Sequence, residues 1–105
     1  MEVEVSGQVN HFIRCQPPES RHRLRLALRA LSQERGDIKA LEGPLTGLYR
    51  LRIGRYRVLF AYATPKRGAP VIRCIFAERR DVVYEVFEQL MTERLLLDRS
   101  SVDES

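Results

Sequence analysis

A chain of 105 residues with 44% hydrophobic and 30% charged side chains is long enough for one domain and too short for two of ordinary size. That balance is globular and excludes a disordered polypeptide, and no apolar run approaches membrane-spanning length. The formal charge of +4 understates a local asymmetry: from Leu48 to Arg80 the chain holds Arg50, Arg52, Arg55, Arg57, Lys66, Arg67, Arg73, Arg79 and Arg80 against a single acid, Glu78.

The acids gather instead at Glu85, Glu88, Glu93 and in the tail DRSSVDES, and segregation of this kind fits a polyanionic partner. Of the 18 basic residues only Lys39 and Lys66 are lysine. Arginine's planar fork suits phosphate, although a GC-rich genome produces the same bias without functional cause. The acidic start MEVEVSGQ has no hydrophobic signal core, so a soluble, cytoplasmic protein is expected, with no membrane partner. Cys15 and Cys74 lie in segments that read as regular structure, without a CxxC or Cys/His cluster, and are expected to be free buried thiols rather than metal ligands.

Glu2 to Val5 alternates acidic and apolar residues and reads as a short edge strand. Val9, Phe12 and Ile13 recur at helical spacing, predicting a short helix that ends before Pro17-Pro18. The second proline suits the first turn of another helix, with Glu19 at its positive end; there Leu24, Ala27, Leu28 and Leu31 form one stripe and Arg21, Arg25 and Arg29 another. Gly36-Asp37 is a natural stop, and DIKALEGPLTG reads as a loop. Three strands are expected next, Leu48 to Ile53, Tyr56 to Ala63 and Val71 to Ala77, followed by a helix from Asp81 to Leu90 whose apolar face extends toward Leu97. The expected architecture is α+β: a helical hairpin packed on a small antiparallel sheet of three to four strands, with a C-terminal helix. A single domain over residues 1–97 precedes a polar tail, 98–105, expected to be frayed.

The stretch LYRLRIGRYRVLFAY sets the candidate site. With Gly54-Arg55 as a two-residue turn, Ile53 pairs with Tyr56, Arg52 with Arg57, Leu51 with Val58, Arg50 with Leu59 and Tyr49 with Phe60. Directly paired residues share a face, so Tyr49, Leu51, Ile53, Tyr56, Val58 and Phe60 form an apolar face for the helices. The opposite face collects Arg50, Arg52 and Arg57 in a patch roughly 10 Å across. No carboxylate is expected on these strands, so like charges face one another unless an anion fills the patch. Arginines can also simply lay their aliphatic stems on an exposed sheet and keep their heads in water. Arg79 and Arg80 follow the third strand, with Tyr84 four residues after Arg80 and next to it on a helix.

In the order LRLALRAL, LEGPLTG, YRLRIGRYRVLF and ERRDVVYEVF, the segments from about Phe12 to Leu90 resemble the RelE/ParE superfamily, the toxins of type II toxin–antitoxin modules. The resemblance implies an α+β fold with an N-terminal helical pair on an antiparallel sheet. A RelE-like member implies cleavage of mRNA in the ribosomal A site without metal or cofactor, by attack of a ribose 2′-hydroxyl on the adjacent phosphate. Carried over by position, Arg50, Arg52, Arg57, Arg80 and Tyr84, with Arg79 beside them, become the catalytic set; Arg79 and the other residues of the basic segment, Arg55, Arg73, Lys66 and Arg67, are expected to bind RNA phosphates. Arginine, with a pKa above about 12, is a poor general base, which leaves Glu78 and Tyr84 as titratable candidates. A ParE-like member would instead inhibit DNA gyrase by contact, and an inactive relative would only bind an antitoxin. Each case implies a cognate antitoxin as protein partner.

Overall fold

Two stripes of apolar residues on helices and one on the β-hairpin meet to make the main core. The computed structural model describes residues 1–79 together with Glu85, Phe87, Gln89 and Thr92. Strand β1 (Glu2–Val5) leads almost directly into helix α1 (Gly7–Arg14). Ser6 makes the junction, its hydroxyl accepting a hydrogen bond from Val9 N at 3.2 Å as the helix cap and donating to Ile75 O at 3.0 Å. Helix α2 (Pro18–Leu31) starts on the second proline, whose missing N–H lies where the helix has no acceptor for it, and Glu19 occupies the first turn. Val9, Ile13, Leu24 and Leu31 are buried, with Phe12, Ala27 and Leu28 packed beside them.

The chain leaves α2 through Gly36, which has a φ of +137°. A Cβ there would also lie 2.7 Å from Leu51 Cδ1, so the position takes glycine for both torsion and space. The remaining strands are β2 (Asp37–Ala40), β3 (Tyr49–Ile53), β4 (Tyr56–Ala63) and β5 (Val71–Arg79). They form a sheet in the order β1-β5-β4-β3-β2, antiparallel except where β1 runs parallel to β5.

This corrects the expected sheet of three to four antiparallel strands in two ways. Asp37–Ala40, read as loop, is an edge strand paired with β3, and only the remainder of that segment is irregular, with a 3-10 turn at Gly43–Leu45. The N-terminal strand pairs in parallel with the last one, a contact between distant segments that local alternation cannot announce. Where β1 ends, Gln8 takes over its role on β5. Its side-chain amide donates to Ala77 O and accepts from Ala77 N, both at 2.8 Å, as a strand neighbour would.

Both faces of the sheet are covered near its centre. Leu51, Ile53, Tyr56, Val58, Phe60, Ile72, Cys74 and Ala77 pack with the helices. On the reverse, Leu59 and Phe76 meet Leu45 from the 3-10 turn and Phe87, whose ring lies 5.8 Å from that of Phe76. The expected C-terminal helix, apart from these isolated positions, and the expected tail lie outside the described residues.

Both cysteines are free, but only Cys74 is buried; Cys15 is exposed at the end of α1, correcting the expectation for it. Burial pushes the Cys74 thiol up to about 12. Thiolate is the reactive form, so a thiol reagent at about pH 8 should modify one cysteine in the native protein and both in denaturant. Equal native rates at both thiols would contradict this packing.

Candidate functional site

The β3–β4 register is the one the Gly54-Arg55 turn predicts, from Tyr49↔Phe60 to Ile53↔Tyr56. Gly54 has a φ of +58°, as its place at the first turn position requires. Parity then fixes one row on the face away from the helices. Asp37 pairs with Arg52, Arg52 with Arg57, and Arg57 with Glu78, so the row across four strands reads acid, arginine, arginine, acid. The next row on that face runs Lys39, Arg50, Leu59, Phe76.

The two hairpin strands carry no carboxylate, as expected; the neutralising one comes from outside them, from Asp37 on the unforeseen strand β2. Its Oδ1 accepts from Arg50 Nη2 at 3.1 Å, and its Oδ2 lies 4.0 Å from Arg52 Nε. The three arginines differ in setting. Arg52 is half exposed, whereas the Arg50 side chain is only 15% exposed and its buried Nε meets no hydrogen-bond partner among the described residues. Arg57 is buried, and its Nη1 donates to Gly54 O at 2.7 Å and Tyr56 O at 2.9 Å, lacing the hairpin turn. Arg52 is thus the group best placed to meet an anion, with Arg50 and Arg57 as fixed positive charges behind it.

The other expected phosphate ligands disperse. Arg73 lies on the same face but four residues along, opposite Ala61, and pairs with Glu4 of β1 at 3.5 Å. Lys66 and Arg67 sit in the β4–β5 connection, about 20 Å from Arg57 along the strand. Arg55 and Arg79 flank Tyr56 at the hairpin tip, on the helix side. Arg80 and Tyr84 lie outside the described residues.

Tyr56 belongs to the core by its ring, edge-on to Phe12 at 5.8 Å, yet its hydroxyl is polar in company. It lies 3.2 Å from both Gln16 Oε1 and Ser20 Oγ and 3.4 Å from Arg55 Nη2. Hydrogen bonding with Ser20 holds the phenol below its usual value against the opposing effect of burial, and the charges of Arg55 and Arg79 act in the same direction as Ser20. Sequence reading took Tyr56 as core only and missed Asp37 and Lys39 at the arginine row. No group of three or more His, Cys, Asp or Glu side chains able to hold a metal occurs among the described residues. His11 and His22 lie on the helices, away from the arginine face.

No protein-family model matches the sequence, and no curated protein matches it. Solved structures do. The YoeB/ParE toxin from Agrobacterium tumefaciens superposes with a TM-score of 0.62 at 12% identity, over 76% of this chain and 99% of that one. A chain of the RelBE2 toxin–antitoxin complex from Mycobacterium tuberculosis gives 0.59 at 22% identity, over 75% and 96%. The RelB–RelE antitoxin–toxin complex from Methanococcus jannaschii gives 0.55 at 19% identity, over 80% and 98%. The chain has the fold of the RelE/ParE toxins.

Proposed function

We propose that this protein is the toxin of a type II toxin–antitoxin module and that it cleaves mRNA on the translating ribosome. The observation that carries the reading is the arginine row: Arg52 faces Arg57 with Arg50 in the adjacent row, on the sheet face opposite the two helices, where Arg52 is half exposed. Guanidinium groups fixed before the substrate arrives stabilise charge that develops on a phosphate. In the reaction the ribose 2′-oxygen bonds to the adjacent phosphorus as the bond to the 5′-oxygen breaks. The 2′-hydroxyl proton passes to a base, for which we propose Glu78, opposite Arg57, and the 5′-oxygen leaves as a hydroxyl by taking up a proton, for which Tyr84 is the proposed donor. Arg80 and Tyr84 are proposed to complete the set. The partner is a cognate antitoxin, as in the RelBE2 and RelB–RelE complexes of the same fold.

A second reading, contact inhibition of DNA gyrase without chemistry, has one observation in its favour. Asp37 already binds Arg50, and Arg57 already serves two backbone carbonyls, so both act as structural cations as well. Primer extension on translated messages after expression without antitoxin separates the two. Codon-linked cleavage by the wild-type chain, lost in Arg52→Ala, is the expected result. Growth arrest with intact mRNA and supercoiling-deficient DNA would establish the gyrase reading in its place.

A further inference from the structure

Three guanidinium groups from three different elements converge on the hairpin tip, on the side opposite the arginine row. Arg23 comes from α2, Arg55 from the turn, and Arg79 from the end of β5, and all three are exposed. Arg55 Nη2 reaches the Tyr56 hydroxyl, and the Arg55 guanidinium stands 5.4 Å from the Tyr56 ring centre. Arg79 is the cross-strand partner of Tyr56, and its charge reaches the same hydroxyl. Arg23 Nη1 lies 3.3 Å from where a Cβ of Gly54 would stand, so the glycine of the turn makes room for it. None of the three forms an ion pair with a carboxylate among the described residues. Glu19, on the rim of the adjoining cleft of about 370 Å³ with Ser20, His22 and Arg23, is not within ion-pair distance of Arg23.

We propose that Arg55 and Arg79, beside the Tyr56 hydroxyl, and Arg23, beside Gly54 of the same turn, form a second phosphate-binding site, and that one RNA strand crosses the hairpin tip to occupy both this site and the sheet-face arginines. The proposal rests on the RNA reading above. Like charges held together with no ion-paired carboxylate among the described residues favour an anion, and arginine's fork matches phosphate oxygens. Continuity favours RNA over an acidic protein segment. The Tyr56–Arg79 row and the Arg52–Arg57 row are successive along β4, roughly 3.3 Å apart, on opposite faces of the sheet's end. A phosphodiester chain carries a charge at every step and meets both clusters in any register.

The test is fluorescence anisotropy of the full chain with labelled oligouridylates of roughly 4 and 12 nucleotides, which bracket common single-strand site sizes. Salt is varied for the wild type, for Arg52→Gln and for a triple Arg23→Gln, Arg55→Gln, Arg79→Gln variant. In the triple variant the salt slope for the longer RNA should fall by about 2, at about 0.7 per lost phosphate contact, with the shorter RNA bound as in the wild type. Arg52→Gln should weaken both lengths. An unchanged slope for the longer RNA in the triple variant overturns the second site while leaving the first intact. Stronger competition by an oligoglutamate peptide than by unlabelled RNA of equal charge also overturns it. Flat salt dependence of the wild type removes the RNA reading itself, and the second site with it.

Discussion

Replacing Arg52 with alanine is expected to slow the proposed RNA cleavage by about 30- to 900-fold while leaving the protein as stable as before. Removing one fixed donor to transition-state charge costs about 2–4 kcal/mol, and each 1.36 kcal/mol is tenfold in rate. The stability half follows from exposure: Arg52 is half in water and 4.0 Å from Asp37, and exposed pairs contribute about 0–1 kcal/mol. Arg57→Ala should behave differently. It removes two charge-assisted bonds to the carbonyls of Gly54 and Tyr56, so a loss of about 1.5–3 kcal/mol in stability accompanies the loss of activity. On the proposed function, Asp37→Asn should act in the opposite direction on binding, because the carboxylate would compete with RNA for Arg50 and Arg52; affinity should rise by up to about fivefold, the equivalent of about 1 kcal/mol. Thermal unfolding and cleavage in a reconstituted translation reaction measure the two halves separately. Wild-type cleavage by Arg52→Ala would remove the arginine row from the chemistry, and an Arg57→Ala protein with unchanged stability would remove its lacing role.

The contrast between Arg52 and Arg57 marks where sequence reasoning stops. Alternation about Gly54-Arg55 was enough to pair β3 with β4 residue by residue and to assign each side chain a face. It could not tell that β4 would be third in a sheet of five, with cover on both faces, so Arg57 read as exposed and is buried. The same limit hid Asp37. DIKA is short, has one β-branched residue and precedes Gly43-Pro44, so nothing local marks it as a strand; only pairing with β3 makes it one and brings its carboxylate to Arg50. The helices were legible because Val9, Ile13, Leu24 and Leu31 repeat at helical spacing and proline marks the start of α2. The hairpin-tip cluster was not, since Arg23, Arg55 and Arg79 meet only through tertiary packing.

Phe60→Ala is expected to be the most damaging single truncation in the sheet, at about 3–5 kcal/mol. Phe60 is fully buried on β4, its ring stacked on Tyr49 at 5.5 Å and edge-on to Tyr62 at 5.7 Å. A β-bulge between Leu59 and Phe60 leaves Ile75 of β5 without a cross-strand partner. Successive residues of β4 point to opposite faces and so serve opposite cores, Leu59 with Phe76 and Phe87, Phe60 with the helices. A cavity at Phe60 thus lies directly behind the layer that supports the arginine face. Domains of this size are stable by about 5–15 kcal/mol, so the variant loses a large share of the total. With a urea slope of about 2 kcal/mol/M, the unfolding midpoint should fall by about 2 M. Phe60→Leu, which keeps an apolar group in the slot, should fall between the two proteins, and Tyr62→Ala, at a side chain 37% exposed, should cost less than Phe60→Ala. An unchanged midpoint for Phe60→Ala would mean that the two cores do not meet at this strand.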